Sequence, residues 1–404
     1  MEEKDLFKRL RDEVRGELLT NILPFWMRKM PDESFGGFYG RMSGTGELDK
    51  KAPKGAILTS RILWTFSAAY RVLQDPELIG FAARAREYLA TYFVDSVNGG
   101  VYWSINHDNT PLDTKKQIYT LGFAIYGLSE FYRATGDPEA LDYAKDLFNA
   151  IERWSFDSRK NGYFEAFTRE WNEIKDMRLS EKDENERKTM NTHLHILEPY
   201  ANLYRAWKDP MLERQLRNLI GLFLDKILDK EAGHLNLFFD DDWNNRRRII
   251  SYGHDIEASW LLHEAALVLG DPGTLALVEP AVKRIAEASR EGLTTDGAMI
   301  YENIVDRGTL DTDRHWWVQA ENIVGNVNLY QHFGDTSALR RAVDCWEFVK
   351  ANIVDRQGGE WFWSVKADGS VNTTDDKAGF WKCPYHNGRM CLEIIERASQ
   401  MGIE

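Results

Sequence analysis

The stretch QIYTLGFAIYGLSEFYRATGDPEALDYAKDLFNAIERWSFDSRKNGYF, residues 117–164, carries the unit from which the whole chain is built. It opens with an apolar helix rich in small residues. Asp137-Pro138 then starts an amphipathic one. An aspartate at the N-cap accepts from orphan backbone amides, and a proline just inside loses nothing because its missing N–H would be unpaired there. The second helix runs to a glycine–aromatic turn, Asn161-Gly162-Tyr163. Working outward, the aspartate signal recurs at Asp75-Pro76, Asp209-Pro210, Asp271-Pro272 and Asp335-Thr336, with successive intervals of 62, 72, 62 and 64 residues along the series. The turn recurs at Gly36-Gly37-Phe38, Gly99-Gly100-Val101-Tyr102, Gly233-His234-Leu235, Gly297 and Gly358-Gly359-Glu360-Trp361. Six turns mean six repeats of outer helix, turn and inner helix.

Repeats of this kind cannot bury their apolar faces alone and must stack on neighbours. Six helix pairs closed into a ring bury the terminal faces as well. The run from Glu3 to Phe25 supplies the first outer helix and the run from Gly388 to Met401 the last inner one. The expected fold is all-α, an (α/α)6 barrel, with residues 1–404 forming a single domain.

Composition fits a large globular chain. Hydrophobic residues make up 43% and aromatics 12%, including 14 tryptophans, enough for a core and for a stacking site besides. The longest apolar runs are too short to span a bilayer and MEEKDLFKRL has no h-region, so the chain reads as cytoplasmic. Cys345, Cys383 and Cys391 do not make a disulfide framework. A formal net charge of -13 opposes nucleic acid and anionic membranes as partners and favours a small neutral substrate.

The repeat also places the unusual residues. Counting back from each aspartate that ends an inner helix, Arg61 lies 14 residues upstream, Tyr119 18, His195 14, His254 17 and Trp317 18, and His386 lies 18 before the chain end. Offsets that differ by three or four share a helix face within one turn. Arg, Tyr, His, His, Trp and His therefore meet on one rim, and the mouth of a ring is a natural concave site. A lone histidine on an apolar helix is more often a satisfied core residue; three in register are harder to dismiss. His107, His193, His234, His263, His315 and His332 fall outside that register and read as structural or surface residues. Trp64, Trp260 and Trp346 read as core, whereas Trp316, Trp317 and Trp381 sit at the rim.

No dinucleotide fingerprint, Walker sequence or Gly-x-Ser-x-Gly elbow is present. His195-x-x-Glu198 and His254-x-x-Glu257 have a spacing that binds metal in some helical bundles, but it serves equally for a glutamate orienting an imidazole, and no metal site is assigned. Indoles stack on sugar faces, arginine neutralises a developing oxyanion, and imidazoles exchange protons near neutrality. A glycosidase would want two facing carboxylates, for which Glu257 and Glu321 are candidates, yet the histidines outnumber them. The residues favour proton transfer at a sugar carbon.

SRILWTF (60–66), MNTHLHILEPYANLYR (190–205), SYGHDIEASWLL (251–262), DTDRHWWVQAEN (311–322) and FWKCPYHNGR (380–389) together resemble the cellobiose 2-epimerase branch of the N-acylglucosamine 2-epimerase superfamily. The resemblance covers nearly the whole chain and implies an (α/α)6 barrel. It implies that His254 and His386 are the acid/base pair of a reaction in which the reducing-end glucose opens, a proton leaves C2 to give a cis-enediolate, and reprotonation on the other face yields mannose. His195 would then assist ring opening and Arg61 neutralise the enediolate. Asn191 and Tyr119 match polar pocket positions, Glu257 would orient His254, and Trp317 and Trp381 would stack the sugars. No cofactor is implied, and the partners are a disaccharide and at most a weak homo-oligomeric contact. The chain departs from the pattern at Cys383, where a glycine is common, which bears on local loop shape. His254 and His386 follow Gly253 and Pro384 at helix starts, where the dipole disfavours an imidazolium and leaves a neutral base at pH 7.

The third repeat is longer than the others, and the excess falls in residues 169–190, just before His195. It reads either as a solvated charged loop or as a partial lid. Three other functions share parts of this pattern. A monosaccharide enzyme of the superfamily (mannose isomerase or N-acylglucosamine 2-epimerase) would use the same histidines. An (α/α)6 glycoside hydrolase would depend on Glu257 or Glu321. A non-catalytic sugar-binding ring would leave the three histidines unexplained.

Overall fold

Each aspartate of the repeat caps a helix in the computed structural model, which describes residues 3–403. The side chain of Asp75 accepts from the Glu77 N–H, Asp137 from Glu139, Asp209 from Met211 and Leu212, Asp271 from Thr274 and Asp335 from Ala338. The outer helices are α1 (Glu3–Glu17, carried on through a π-turn to Arg28), α3 (Pro76–Tyr88), α5 (Pro138–Trp154), α7 (Pro210–Leu222), α9 (Pro272–Ser289) and α11 (Thr336–Asn352). The inner helices are α2 (Ala56–Leu73), α4 (Ile118–Thr135), α6 (Met190–Ala206), α8 (Tyr252–Leu269), α10 (Trp316–Phe333) and α12 (Tyr385–Gln400). Each inner helix packs on the next, and α12 packs back on α2, so the ring closes and the fold is the expected (α/α)6 barrel. The outer helices show one buried face, as in α5, where Ala140, Leu141, Ala144, Leu147, Phe148 and Ile151 are buried. The inner helices are buried nearly all round, as α2 is from Ala56 to Ala69.

The glycine–aromatic turns form six equivalent β-bridges, Pro31 to Phe38, Val94 to Val101, Phe156 to Tyr163, Leu228 to Leu235, Leu293 to Met299 and Val354 to Trp361. Short strands then stitch neighbouring repeats at the mouth. Residues just before an inner helix pair with residues after the next turn, as Lys54–Gly55 does with Ser104–Ile105 and Lys188–Thr189 with Phe238–Phe239. A bridge between Met42 and Ala378 closes this belt. In three repeats a lysine two residues before the inner helix reaches the aspartate of its own turn, Lys54 to Asp32 at 2.6 Å, Lys116 to Asp95 at 2.9 Å and Lys188 to Asp157 at 2.8 Å. All are buried, so each pins the start of an inner helix to the end of an outer one. One three-stranded meander of this belt is formed by β1 (Ile249–Ser251), β2 (Glu302–Ile304) and β3 (Thr309–Asp311), paired antiparallel in that order. Among the described residues no helix is long and apolar enough to cross a membrane.

Candidate active site

The site lies where the inner helices begin. Tyr119, Trp317 and His386 are the second residues of their helices, His254 the third, and Arg61 and His195 the sixth, so the six side chains reach one level from the first two turns. Two glycines allow the close packing this needs. A Cβ on Gly253 would lie 2.7 Å from the Trp317 ring, and one on Gly122 would lie 2.2 Å from the carbonyl oxygen of His195.

Each imidazole is held through Nδ1 by a different partner. His195 Nδ1 lies 3.0 Å from Glu198 Oε2, His386 Nδ1 lies 2.7 Å from Glu321 Oε1, and His254 Nδ1 lies 2.7 Å from Ser251 Oγ. Ser251 is the N-cap residue of α8, yet its hydroxyl makes no cap bond because it is engaged with His254. The Trp317 ring stands 4.8 Å from the His254 ring and 5.7 Å from that of His386, centroid to centroid. Opposite, Arg61 donates to the Tyr119 hydroxyl at 2.8 Å and to the Trp381 carbonyl at 3.3 Å, with its guanidinium 4.1 Å over the Phe123 ring. Trp381 packs edge-on to Trp103 and Tyr119. Trp316 is turned into the wall, against Trp363 and under Lys382, and meets His386 only edge-on at 6.3 Å.

Beneath the histidines lies a cluster that the sequence reading did not single out. Arg389, fully buried, donates to Glu198, to Glu257 at 2.8 Å and to Glu321 at 2.7 Å. Trp260 Nε1 donates to Glu321 at 3.0 Å, and the Tyr385 hydroxyl donates to Glu198. The expectation that Glu257 orients His254 is therefore corrected. Glu257 is bound to Arg389, and Ser251 is the orienting partner. The helical i, i+3 spacing that suggested the pair is real, but the imidazole turns toward the preceding strand. Glu321, read as a glycosidase candidate, is engaged with His386, Trp260 and Arg389.

Burial pushes His254 down to about 3, and the neighbouring His195 and His386 push the same way. Burial takes His386 to about 4 although Glu321 pulls against it, and lowers His195 against the pull of Glu198. Desolvation thus favours the neutral imidazole in all three, where the sequence reading had invoked the helix start for His254 and His386. Burial works upward on Glu321, yet Arg389 and His386 outweigh it and hold that carboxyl at about 2. An oxygen each from Glu257 and Glu321 and a nitrogen of His386 lie within 4.8 Å of one another, a spacing open to a cation. Arg389, bonded to both carboxylates, already supplies a positive charge there.

A cavity of about 620 Å³ opens onto His254 and Asn191. Tyr301 and β2 line one side, and Met177, Lys182 and Glu184 of the long third-repeat loop line another. The loop is tied down at its base, where Gln117 donates to the Met177 carbonyl at 3.0 Å and Trp171 stacks on Trp154. Asn191 Oδ1 has no hydrogen-bond partner among the described residues.

A closed ring of six helix pairs gathers imidazoles, one guanidinium and indoles at one mouth, side chains suited to proton transfer on a small polar substrate. Residues 37–388 match the family model described as N-acylglucosamine 2-epimerase (GlcNAc 2-epimerase). A cellobiose 2-epimerase of Bacteroides fragilis is 66% identical over 386 residues, covering 96% of this chain and 98% of its own. One from Ruminococcus albus is 43% identical, covering 95% and 98%. The solved structure of cellobiose 2-epimerase from Bacillus thermoamylovorans superposes with a TM-score of 0.91 at 44% identity, covering 96% of this chain and 99% of that one. The chain belongs to the N-acylglucosamine 2-epimerase family, in its cellobiose 2-epimerase branch, and is an epimerase of the isomerase class.

Proposed function

We propose that the enzyme converts the reducing-end glucose of β-1,4-linked disaccharides, cellobiose and lactose, to mannose by moving the proton on C2. His195 assists opening of the ring. One of His254 and His386 gains a proton from the O1 hydroxyl as the ring opens. The other takes the C2 proton through Nε2, the electron pair passes to O1 as a cis-enediolate, and the first returns its proton to C2 from the opposite face, the second giving its own back to O1 as the ring closes. Arg61 neutralises the enediolate charge, Tyr119 and Asn191 hold sugar hydroxyls, and Trp317 and Trp381 stack the rings. Delivery of the proton to C1 instead gives the ketose as a side product.

The observation that carries this reading is the pair formed by His254 and His386, both against the Trp317 ring, each anchored at Nδ1, with no hydrogen bond at Nε2 among the described residues. The Glu321 carboxylate, an acceptor only, sets both tautomer and ring orientation of His386, and the Ser251 hydroxyl, donor or acceptor, sets the ring orientation of His254, as general acid/base catalysis requires. The cavity volume lies in the range of about 300–1,000 Å³ usual for small-molecule sites. The test is proton and carbon NMR of cellobiose, then lactose, in D2O without added metal or nucleotide. A mannose-type anomeric signal with deuterium at C2 is expected. Free glucose would overturn the reading in favour of hydrolysis, and no reaction on either disaccharide but turnover of mannose or N-acetylglucosamine would move the substrate class.

A further inference from the structure

Three carboxylates, Glu198, Glu257 and Glu321, converge on the one guanidinium of Arg389 in the floor of the site. All four groups are buried. With every carboxylate ionised the cluster would carry two uncompensated negative charges in a low-dielectric interior, which is strongly unfavourable. The hydrogen bonds indicate which carboxylate is relieved. Glu198 faces three donors, the Arg389 guanidinium, the Tyr385 hydroxyl and His195 Nδ1. Glu321 also faces three, Arg389, Trp260 and His386 Nδ1. Glu257 accepts from Arg389 alone, and its Oε2 is buried without a partner among the described residues. A carboxylate oxygen left bare in such a place costs free energy, whereas a carboxylic O–H there is a donor awaiting an acceptor.

We propose that Glu257 is a neutral carboxylic acid in the resting enzyme and that its Oε2–H donates to the open-chain sugar oxygen on which negative charge develops. Glu257 sits one helical turn after His254, and one of its oxygens lies within 4.8 Å of a His386 nitrogen, so its carboxyl stands close to both imidazoles. Burial and the neighbouring Glu321 both raise its carboxyl well above the usual range, against the pull of Arg389. The proton stays on Glu257 throughout and no bond to it is broken. Glu257 strengthens a hydrogen bond as O1 gains charge, where a second carboxylate would repel it. This role rests on the enediolate reading above; the protonation state does not.

The first test needs no substrate. Infrared difference spectra of intact wild-type enzyme against Glu257→Gln, at neutral pH, are expected to show loss of a protonated-carboxyl carbonyl band that shifts in D2O; loss of a carboxylate band instead overturns the proposal. The Glu257→Ala enzyme gives the same comparison if the Gln variant does not fold, which thermal melting will show. In turnover, Glu257→Gln keeps a neutral N–H donor and is expected within about tenfold of wild type, while Glu257→Ala loses about 100- to 1,000-fold in kcat with KM little changed. Equal damage in both variants also overturns the donor role. A failed epimerase assay with the infrared band present would count against the substrate reading alone.

Discussion

His254 and His386 differ in the group behind them, and that difference is measurable. Glu321 stands behind His386 as an anion held by Arg389 and Trp260, whereas His254 has only the Ser251 hydroxyl. Replacing either histidine by Asn is expected to lower the rate of C2 proton exchange by about 100- to 10,000-fold, read by deuterium incorporation. Ser251→Ala should cost less than Glu321→Gln, because a carboxylate stabilises an imidazolium where a hydroxyl does not, and the Glu321 variant should also move the pH profile of kcat. The rim residues were legible because their spacing follows the helical repeat. Arg389 was not, although it closes the HNGR segment. Its role comes from meeting Glu198, Glu257 and Glu321 on three other helices, and no local spacing records that. Ser251 was missed for a related reason. A serine before a helix reads as a cap, and only the structure shows its hydroxyl on an imidazole.

At the scale of elements, caps and turns explain why the repeat could be read at all. Asp209 accepts from two backbone amides at the start of α7, so Asp209→Ala should lower stability by about 1 kcal/mol in a denaturant titration and leave epimerisation untouched. The buried lysine–aspartate pairs carry more. Removing one partner of a buried pair typically costs about 3–5 kcal/mol, and Lys116→Met should show a loss of that order by the same titration. Their signal was present in the sequence, as an aspartate five residues before the turn glycine in Asp32, Asp95 and Asp157, but a lysine ahead of an apolar helix reads as solvated until its burial is seen. The third-repeat loop contributes Met177, Lys182 and Glu184 to the cavity wall beside His254. Excising 178–184 is expected to raise KM for a disaccharide with little change in melting temperature; an unchanged KM would leave the loop as solvated surface.

For the whole molecule, the buried titratable groups set the pH range in which the ring holds. His193, His254, His315 and His386 are pushed by burial from 6.5 to between about 3 and 4, so the unfolded chain binds more protons than the folded one across that window. Their contribution is fully present above pH 6.5 and is lost as the pH falls through the lowered values. Glu152, Glu165, Glu302 and Glu393, raised by burial from 4.5 to between about 6 and 8, work in the opposite sense, losing stability as pH rises from 4.5 toward those values. The two sets offset between 4.5 and 6.5, and melting temperature should fall steeply only below about pH 4.5, as calorimetry over a pH series would reveal. The closure of the ring has a consequence in time. Arg61 lies near the beginning of the chain and His386 and Arg389 near its end, while the Met42–Ala378 bridge and the Trp346 bond to Glu13 join residues more than three hundred positions apart. During synthesis the growing polypeptide can stack its early helix pairs as they emerge, but it holds no complete constellation of side chains until α12 docks. Final docking is a long-range event of the kind that folds slowly. Nascent chains should therefore remain inert, with one apolar flank of the unfinished ring uncovered, until the last helix arrives.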